Sequence, residues 1–176
     1  MNTFAAILSR RTIRNFNGKD IDESELNAIL SAAYAAPIGR KRYDTLALTV
    51  VKNKEFLSAL DLATANAQGN PDAHPLYGAP TLIIISSIIN PPPQDNVNYS
   101  NAAIIAENIA LAATELGVGA CHIWGAIRVL NTSPELVARL ALPEGMVPCC
   151  AMALGKTDEV YSMREVEERI TTTYMD

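Results

Sequence analysis

The hydrophobic positions of this chain follow a helical spacing in some stretches and a strand pattern in others. A short first helix is predicted from Thr3 to about Ser9. The stretch "DESELNAILSAAYAAP" then carries apolar residues at helical spacing, with Asp22 and Glu25 placed as a capping box at its start. Because the residue before a proline disfavours helical backbone, Pro37 is expected to end this second helix.

The middle of the chain predicts two strands around a third helix. "LALTVV" is a short β-branched run typical of a strand, and "KEFLSALDLATANA" has the spacing of a helix. The region from Gly69 to Pro75 is expected to be a loop. "APTLIIISSII" is apolar without alternation, which indicates a strand covered on both faces.

The second half predicts a long helix and two further strands. After the break at "NPPPQDN", an apolar helix extends towards Gly117, which fits a C-terminal cap. A strand "CHIWG", a helix in "NTSPELVARLALPEG" with Ser133 as cap and Pro134 in the first turn, and a strand "VPCCAMALG" follow. The stretch "EERITTTYMD" is expected to add a last extended segment. Since the loops are not those of a regular βαβ array, the pattern predicts an α+β fold around a mixed sheet, with residues 1–176 as a single domain.

Composition and charge narrow the function classes. The chain has 176 residues, of which 49% are hydrophobic and 19% charged, as in one globular domain. Its net charge of -5 argues against nucleic acid or an anionic membrane as a partner, since both reward a broad basic surface. The start "MNTFAAILSRR" lacks the pattern of a secretory signal, which predicts a cytoplasmic protein. Glu107 and Glu115 make the long apolar helix costly as a membrane span.

Several kinds of site are not expected. The chain has no glycine-rich phosphate loop, and its two histidines, His74 and His122, sit in no ligand-spaced motif, so no metal site is predicted. No nucleophile-elbow pattern surrounds a serine. Beside Trp124, His122 is interpreted as a packed residue rather than a base. The three cysteines are interpreted as reduced, mostly buried thiols.

The stretch "SRRTIRNF" stands out in this acidic chain, because it sets Arg10, Arg11 and Arg14 within five residues. Guanidinium groups bind phosphate through paired N–H donors and keep their charge, so with the hydroxyl of Thr12 they form a plausible phosphate cradle. The alternative is a solvated charged turn.

This stretch also resembles the opening motif of the nitroreductase family of flavin enzymes. The resemblance continues in order through "SAAYAAP", "YGAPTLIIIS", "NAAIIAENIALAATELGVGACHIWG" and "LPEGMVPCCAMALGK", and so covers nearly the whole chain. It implies a nitroreductase-like α/β sandwich that forms a homodimer, with FMN at the subunit interface. It also implies a ping-pong reaction in which NADH or NADPH reduces the flavin and a nitroaromatic, a quinone or a similar small molecule then accepts the electrons.

The resemblance assigns residues to the cofactor. The phosphate and ribityl chain of FMN are expected to meet Arg10, Arg11, Thr12 and Arg14. A late basic residue usually joins them, and spacing does not choose among Lys156, Arg164 and Arg169. Backbone N–H groups near Trp124 and Gly125 are expected beside the flavin ring, although Trp124 fits the core equally well. No side chain is nominated as a catalytic acid or base.

One segment departs from the family pattern. After Pro37 the chain reads "IGRKRYDT", where Lys41 and Tyr43 take places that in the family reach the flavin of the partner subunit. The basic residues 40–42 either lengthen a positive funnel towards an anionic cofactor or form a solvated turn. This departure keeps a second reading open: a flavin- or nucleotide-binding protein with a decayed catalytic pocket, acting as a sensor or cofactor carrier. We further hypothesise that the tail "RITTTYMD" pairs with the sheet of a partner subunit.

Overall fold

Helices pack on both faces of one four-stranded sheet in the computed structural model, which describes residues 2–175. The helices are α1 Thr3–Ser9, α2 Glu23–Tyr34, α3 Lys54–Ala67, α4 Asp95–Glu115, α5 Gly125–Leu130 and α6 Pro134–Ala138. The strands are β1 Leu46–Val51, β2 Thr81–Ile88, β3 Gly119–Ile123 and β4 Met146–Gly155. Two 3₁₀ turns, Gly39–Lys41 and Tyr43–Thr45, lead into β1. The predicted α+β class is confirmed.

The strand order in the sheet is β1-β2-β4-β3, and each of the three pairings is antiparallel. The sheet of the described residues is therefore antiparallel rather than mixed. Local hydrophobic patterns report which segments are strands but not which neighbours they pair with, so this detail was outside the reach of the sequence.

The sheet is covered on both faces, as the unbroken apolar run of β2 predicts. Ile83 and Ile85 face a cluster formed with α2 and α4, whereas Leu82 and Ile84 face a second cluster formed with α3 and α5. All four of these side chains are almost fully buried. Seven consecutive residues of β2 are buried, which is the burial expected of a central strand between two helical layers.

Several local predictions hold. The capping box is present, because Asp22 Oδ1 accepts from the N–H of Glu25 and Glu25 Oε2 accepts from the N–H of Asp22, both at 2.9 Å. Gly117 follows the end of α4 in the left-handed region, with φ 70°. The bounds of β1 and α3 match the two predicted stretches.

Other local predictions are wrong. The strand expected over "CHIWG" ends at Ile123, and Gly125 instead begins α5, which buries Ala126 and Ile127. Ser133 makes no capping bond, since its hydroxyl donates to the carbonyl of Val129 instead. The prediction of a final extended segment is not among these and stays a prediction: residues 167–175 contain no helix and pair with no strand among residues 2–175, and the last residue, 176, lies outside the described residues.

The long apolar helix α4 is the one for which the sequence analysis considers, and disfavours, a membrane span. Between residues 2 and 175, no helix combines the length and the apolar character needed to cross a bilayer.

Candidate functional site

The arginine loop, residues 10–14, is anchored to the sheet by its one apolar member. Ile13 is completely buried, and its N–H donates to the carbonyl of Ala120 on β3 at 2.9 Å. Thr12 and Arg14, on either side, are exposed. The loop is thus a fixed backbone that holds polar side chains at the surface, which favours a binding loop over a mobile charged turn.

Glycines at the ends of β3 and β4 allow this close anchoring. Gly119 and Gly155 are partners in the sheet. A Cβ added to Gly119 would lie 3.1 Å from both Ile13 Cγ2 and Phe16 Cε1, and one added to Gly155 would lie 2.7 Å from Cδ of Pro80. A side chain at position 119 would therefore crowd Ile13 of the loop, and one at position 155 would clash with Pro80.

Arg10 links the loop to α4 through an ion pair with Glu107. Its Nε lies 3.2 Å from Oε1 of Glu107, and the other carboxylate oxygen, Oε2, lies 3.3 Å from Nε2 of His122 on β3. One carboxylate thus contacts the first arginine of the loop with one oxygen and a histidine with the other. Nδ1 of His122 is buried and has no hydrogen-bond partner among the residues that the structure describes.

The electrostatics of Glu107 follow from this arrangement. The contact with His122 lowers its pKa most, burial acts in the opposite direction, and the charges of Arg10 and Arg164 lower the pKa further. The net pKa lies below the usual value for a glutamate, so the group is a carboxylate at neutral pH.

A cleft of about 340 Å³ opens beside His122. Its walls include Tyr77, His122, Trp124 and Gly125. The indole of Trp124 is about half exposed and lies nearly parallel to the imidazole of His122, with ring centroids 6.2 Å apart and planes 6° apart. Of the two interpretations of Trp124, the structure therefore favours a surface aromatic over a core residue.

Arg14 connects the loop to the same cleft. Its guanidinium carbon lies 5.6 Å from the ring centroid of Tyr77, within the range of a cation–π contact. Arg14 also lies near Cys121: burial raises the pKa of that thiol, and the charge of Arg14 partly offsets the effect. Arg14 thus contacts a wall residue of the cleft directly, whereas Arg10 is connected to the cleft only through Glu107 and His122.

Arg11 turns instead to the tail. Its Nη2 donates to both the carbonyl and the hydroxyl of Ser162, each at 3.0 Å. Tyr161 beside it donates to the carbonyl of Val118 at 2.7 Å, and the N–H of Arg164 donates to the carbonyl of Leu8. Arg11 therefore helps to fasten the start of the tail to the body of the protein.

The three late basic residues occupy different places. Lys156 forms an ion pair with Glu25 of the capping box, and Arg169 pairs with Glu167 inside the tail, 3.2 Å apart. Of the three, only Arg164 has a charge that lowers the pKa of Glu107, the partner of Arg10. This charge favours Arg164 over the other two as the basic residue that accompanies the arginine loop.

Lys41 and Tyr43 lie apart from this arrangement, exposed on the two 3₁₀ turns. Among residues 2–175 neither side chain has a hydrogen-bond or ion-pair partner. The turn is held by a bond from the N–H of Gly39 to Oδ1 of Asn101, 3.1 Å long, and Arg42 pairs with Asp44. The contacts of the described residues thus assign these two side chains no ligand.

The sequence did not identify Glu107, His122 and Tyr77 as site residues. Glu107 was noted only as a charge in an apolar helix, and His122 only as a packed residue. A carboxylate in the middle of a helix otherwise rich in buried apolar residues is a usable signal, but its partners come from a distant loop and a later strand. Among the described residues, no group of three or more histidine, cysteine, aspartate and glutamate side chains could hold a metal ion.

Comparison with known proteins agrees with this architecture. A solved nitroreductase with bound FMN from Bacteroides fragilis superposes with a TM-score of 0.81 at 30% identity, covering 99% of this chain and 100% of that one. The FMN reductase (NADPH) of Bacillus subtilis is 26% identical over 165 residues, which are 88% of this chain and 65% of that protein. The NADPH-flavin oxidoreductase of Vibrio harveyi is 27% identical over 169 residues, with 90% of this chain and 67% of that protein covered.

The model of the Nitroreductase family matches residues 7–156, from α1 through the end of β4. The match includes the arginine loop, Glu107 and the strand that leads to Trp124. The chain therefore belongs to the Nitroreductase family.

Proposed function

We propose that this protein is an FMN-dependent NAD(P)H oxidoreductase that reduces a small acceptor such as a quinone or a nitroaromatic compound. The observation that carries the proposal is the position of an anchored arginine loop beside an aromatic cleft: Arg14 contacts Tyr77 in the cleft wall, and Glu107 connects Arg10 to His122, another wall residue. A cationic loop beside an aromatic cleft suits a ligand with a phosphate at one end and a flat ring at the other. The names of the relatives, which include an FMN reductase and an NADPH-flavin oxidoreductase, support the same activity.

The residues present fit FMN. Arg10, Thr12 and Arg164 would hold the phosphate, because they bring two permanent charges and an exposed hydroxyl to one end of the site. Arg11 would contribute charge while it fastens the tail. Tyr77, Trp124 and the backbone at Gly125 would line the ring, and when bound, FMN would supply hydride transfer between the nicotinamide and the acceptor.

The side chains of the protein would bind and orient the flavin, the nicotinamide and the acceptor. Arg14 lies beside Tyr77 at the cleft, where its permanent charge favours negative charge on a bound ring. The exposed face of Trp124 offers a flat apolar wall for an aromatic acceptor or a nicotinamide. We assign no side-chain acid or base to the hydride step.

Turnover separates this proposal from the alternative of a binding protein with a decayed pocket. FMN-loaded protein is mixed with NADPH or NADH and a quinone, and the loss of the absorbance of the reduced nicotinamide is followed. The oxidoreductase consumes reductant many times in excess of enzyme. Consumption that stops at one equivalent per bound flavin would support the sensor or carrier instead.

We also propose that the protein is a homodimer in which the tail of each copy packs against the other copy. The tail, residues 157–175, has no regular secondary structure. Its large apolar side chains are mostly exposed, at 65% or more of their surface: Val160, Met163, Val166, Ile170, Tyr174 and Met175. Between residues 2 and 175, the residues that line a space of about 910 Å³ all belong to the tail, from Arg164 to Tyr174. A tail this apolar is more stable when another surface covers its side chains, and a second copy of the chain is the partner that the family pattern implies.

The dimer would also give Lys41 and Tyr43 a ligand, namely the flavin of the partner subunit. Light scattering of the full chain and of a chain that ends at Glu165 tests whether the tail holds the dimer together. A dimeric full chain and a monomeric shortened chain are expected, while a shortened chain that remains dimeric would contradict this role of the tail. Under the same proposal, residues 1–176 form one FMN-binding domain in the cytoplasm.

A further inference from the structure

Glu107 joins the two halves of the candidate site. Its carboxylate is the shared partner of Arg10, at 3.2 Å, and of His122, at 3.3 Å, so a single side chain sets the position of both. It projects from α4, a helix of 21 residues whose buried face packs on the sheet, so the carboxylate starts from a rigid base. Its own surface is about half exposed, which leaves it accessible from the site.

The contact with Arg10 uses the inner nitrogen of the guanidinium. Nε is the atom closest to Glu107, and among residues 2–175 no hydrogen bond uses the two terminal nitrogens of Arg10. A phosphate oxygen pair is bound best by a guanidinium edge with two parallel N–H donors. A carboxylate that holds Nε thus orients the side chain and keeps the terminal nitrogens for an anion.

The contact with His122 determines which nitrogen of its imidazole carries the proton. Glu107 is ionised at neutral pH because its pKa is lowered by His122, Arg10 and Arg164, so it can only accept a hydrogen bond. Nε2 of His122 must then carry the proton that faces Glu107. The imidazole ring is held in this orientation beside Trp124, on a wall of the cleft.

We propose that Glu107 is a positioning residue that orients Arg10 for a phosphate ester and His122 for the ring end of the same ligand. This inference rests on the proposed function, since FMN is the ligand that spans both ends. It assigns Glu107 no contact with the reacting atoms.

Two substitutions of equal charge test the proposal. Glu107→Gln and Glu107→Ala both remove the negative charge next to the phosphate site, but only glutamine keeps an oxygen that can hold Nε of Arg10. Alanine is the best helix former, so α4 is expected to stay folded in both variants. Glu144, exposed in the loop before β4, supplies matched controls as Glu144→Gln and Glu144→Ala.

Dissociation constants for FMN and riboflavin are measured by flavin fluorescence on protein freed of its flavin. Because one misplaced charge-assisted hydrogen bond costs about tenfold or more in affinity, FMN is expected to bind Glu107→Ala about tenfold more weakly than Glu107→Gln. Riboflavin, which lacks the phosphate, should be weakened less than FMN in Glu107→Ala, because it loses only the orientation of His122 and not that of Arg10. The Glu144 variants should match the wild type for both ligands.

A second readout does not depend on flavin. Nitrogen-15 chemical shifts of the imidazoles report which nitrogen carries the proton, and His74→Asn leaves His122 as the only histidine. The wild type is expected to carry the proton at Nε2. Glu107→Gln should move it to Nδ1, because the glutamine oxygen engages Arg10 and its amide donates to Nε2.

The outcomes separate the two proposals. Equal FMN affinity in the two Glu107 variants, or an equal loss for FMN and riboflavin, would overturn the positioning role while leaving the flavin function intact. A wild type that binds neither flavin would overturn the proposed function and, with it, the phosphate part of this inference. An unchanged His122 tautomer in Glu107→Gln would overturn the other part.

Discussion

Shortening the buried anchor of the arginine loop should cost both stability and ligand binding. Ile13 is fully buried against β3, and Ile13→Ala removes three carbon atoms from that environment. At roughly 0.8 kcal/mol per buried carbon, the transfer term alone is about 2.4 kcal/mol. The cavity left behind raises the expected loss of unfolding free energy to about 3 kcal/mol.

The assay is urea denaturation followed by circular dichroism, on the wild type, Ile13→Ala and a control. Ile104→Ala, on the exposed side of α4, makes the same chemical change at a site that keeps 38% of its surface, so its cost should be well under half as large. FMN affinity should fall in Ile13→Ala, because the loop loses the contact that fixes its backbone, and stay near wild type in the control. A stability loss below about 1 kcal/mol in Ile13→Ala would refute the anchoring argument.

Three further predictions follow from the packing and the charges. Gly155→Ala should destabilise the protein by about 1–3 kcal/mol, because the new methyl group would lie 2.7 Å from Cδ of Pro80, whereas Gly125→Ala meets no atom closer than 3.7 Å; equal melting temperatures for the two variants would contradict this. Burial raises the pKa of Asp20, but hydrogen bonds from Lys52, Thr81 and the N–H of Ile21 outweigh it and lower the net pKa. Its stabilising contribution is therefore present above the unfolded pKa near 4 and is lost as the pH falls through the folded pKa, so the stability gap between wild type and Asp20→Asn should close in acid; a gap that is constant from pH 7 to pH 3 would argue against it. Burial raises the pKa of the partly exposed Cys149 to about 11 and that of the buried Cys150 to about 12. In a Cys121→Ser and Cys149→Ser background, Cys150 should therefore not react with a disulfide reagent at pH 8 until the protein is unfolded; rapid labelling of native protein would show that its burial is wrong.

Local patterns predicted most of the elements, because they depend on residues close together in the chain. The capping box of α2, the bounds of α3 and the buried run of β2 each reflect a spacing within one element. The turn into α5 was missed because "CHIWG" continues the apolar run of β3 without a break. The antiparallel order of the sheet depends on contacts between distant segments, which hydrophobic periodicity does not report.

Some features of the candidate site can likewise be read from adjacent residues, whereas others depend on contacts between distant segments. The arginine loop was visible because its residues are adjacent and unusual in an acidic chain. The bridge from Arg10 through Glu107 to His122 was not, since it joins a loop, a helix and a strand that only the folded sheet brings together. The preference for Arg164 over Lys156 likewise needed the fold, because only the fold shows that Lys156 pairs with Glu25 while the charge of Arg164 acts on Glu107.

On the proposed function, the arginine loop and the aromatic cleft together bind FMN, and NADPH or NADH reduces the bound flavin. The most direct test is the visible spectrum of the purified protein before and after anaerobic addition of NADPH or NADH, with the released cofactor identified by mass. A yellow protein that releases FMN and loses its flavin absorbance on addition of reductant is the expected result. A colourless protein that takes up no added FMN would contradict the claim and would return the arginine loop to the role of a charged turn.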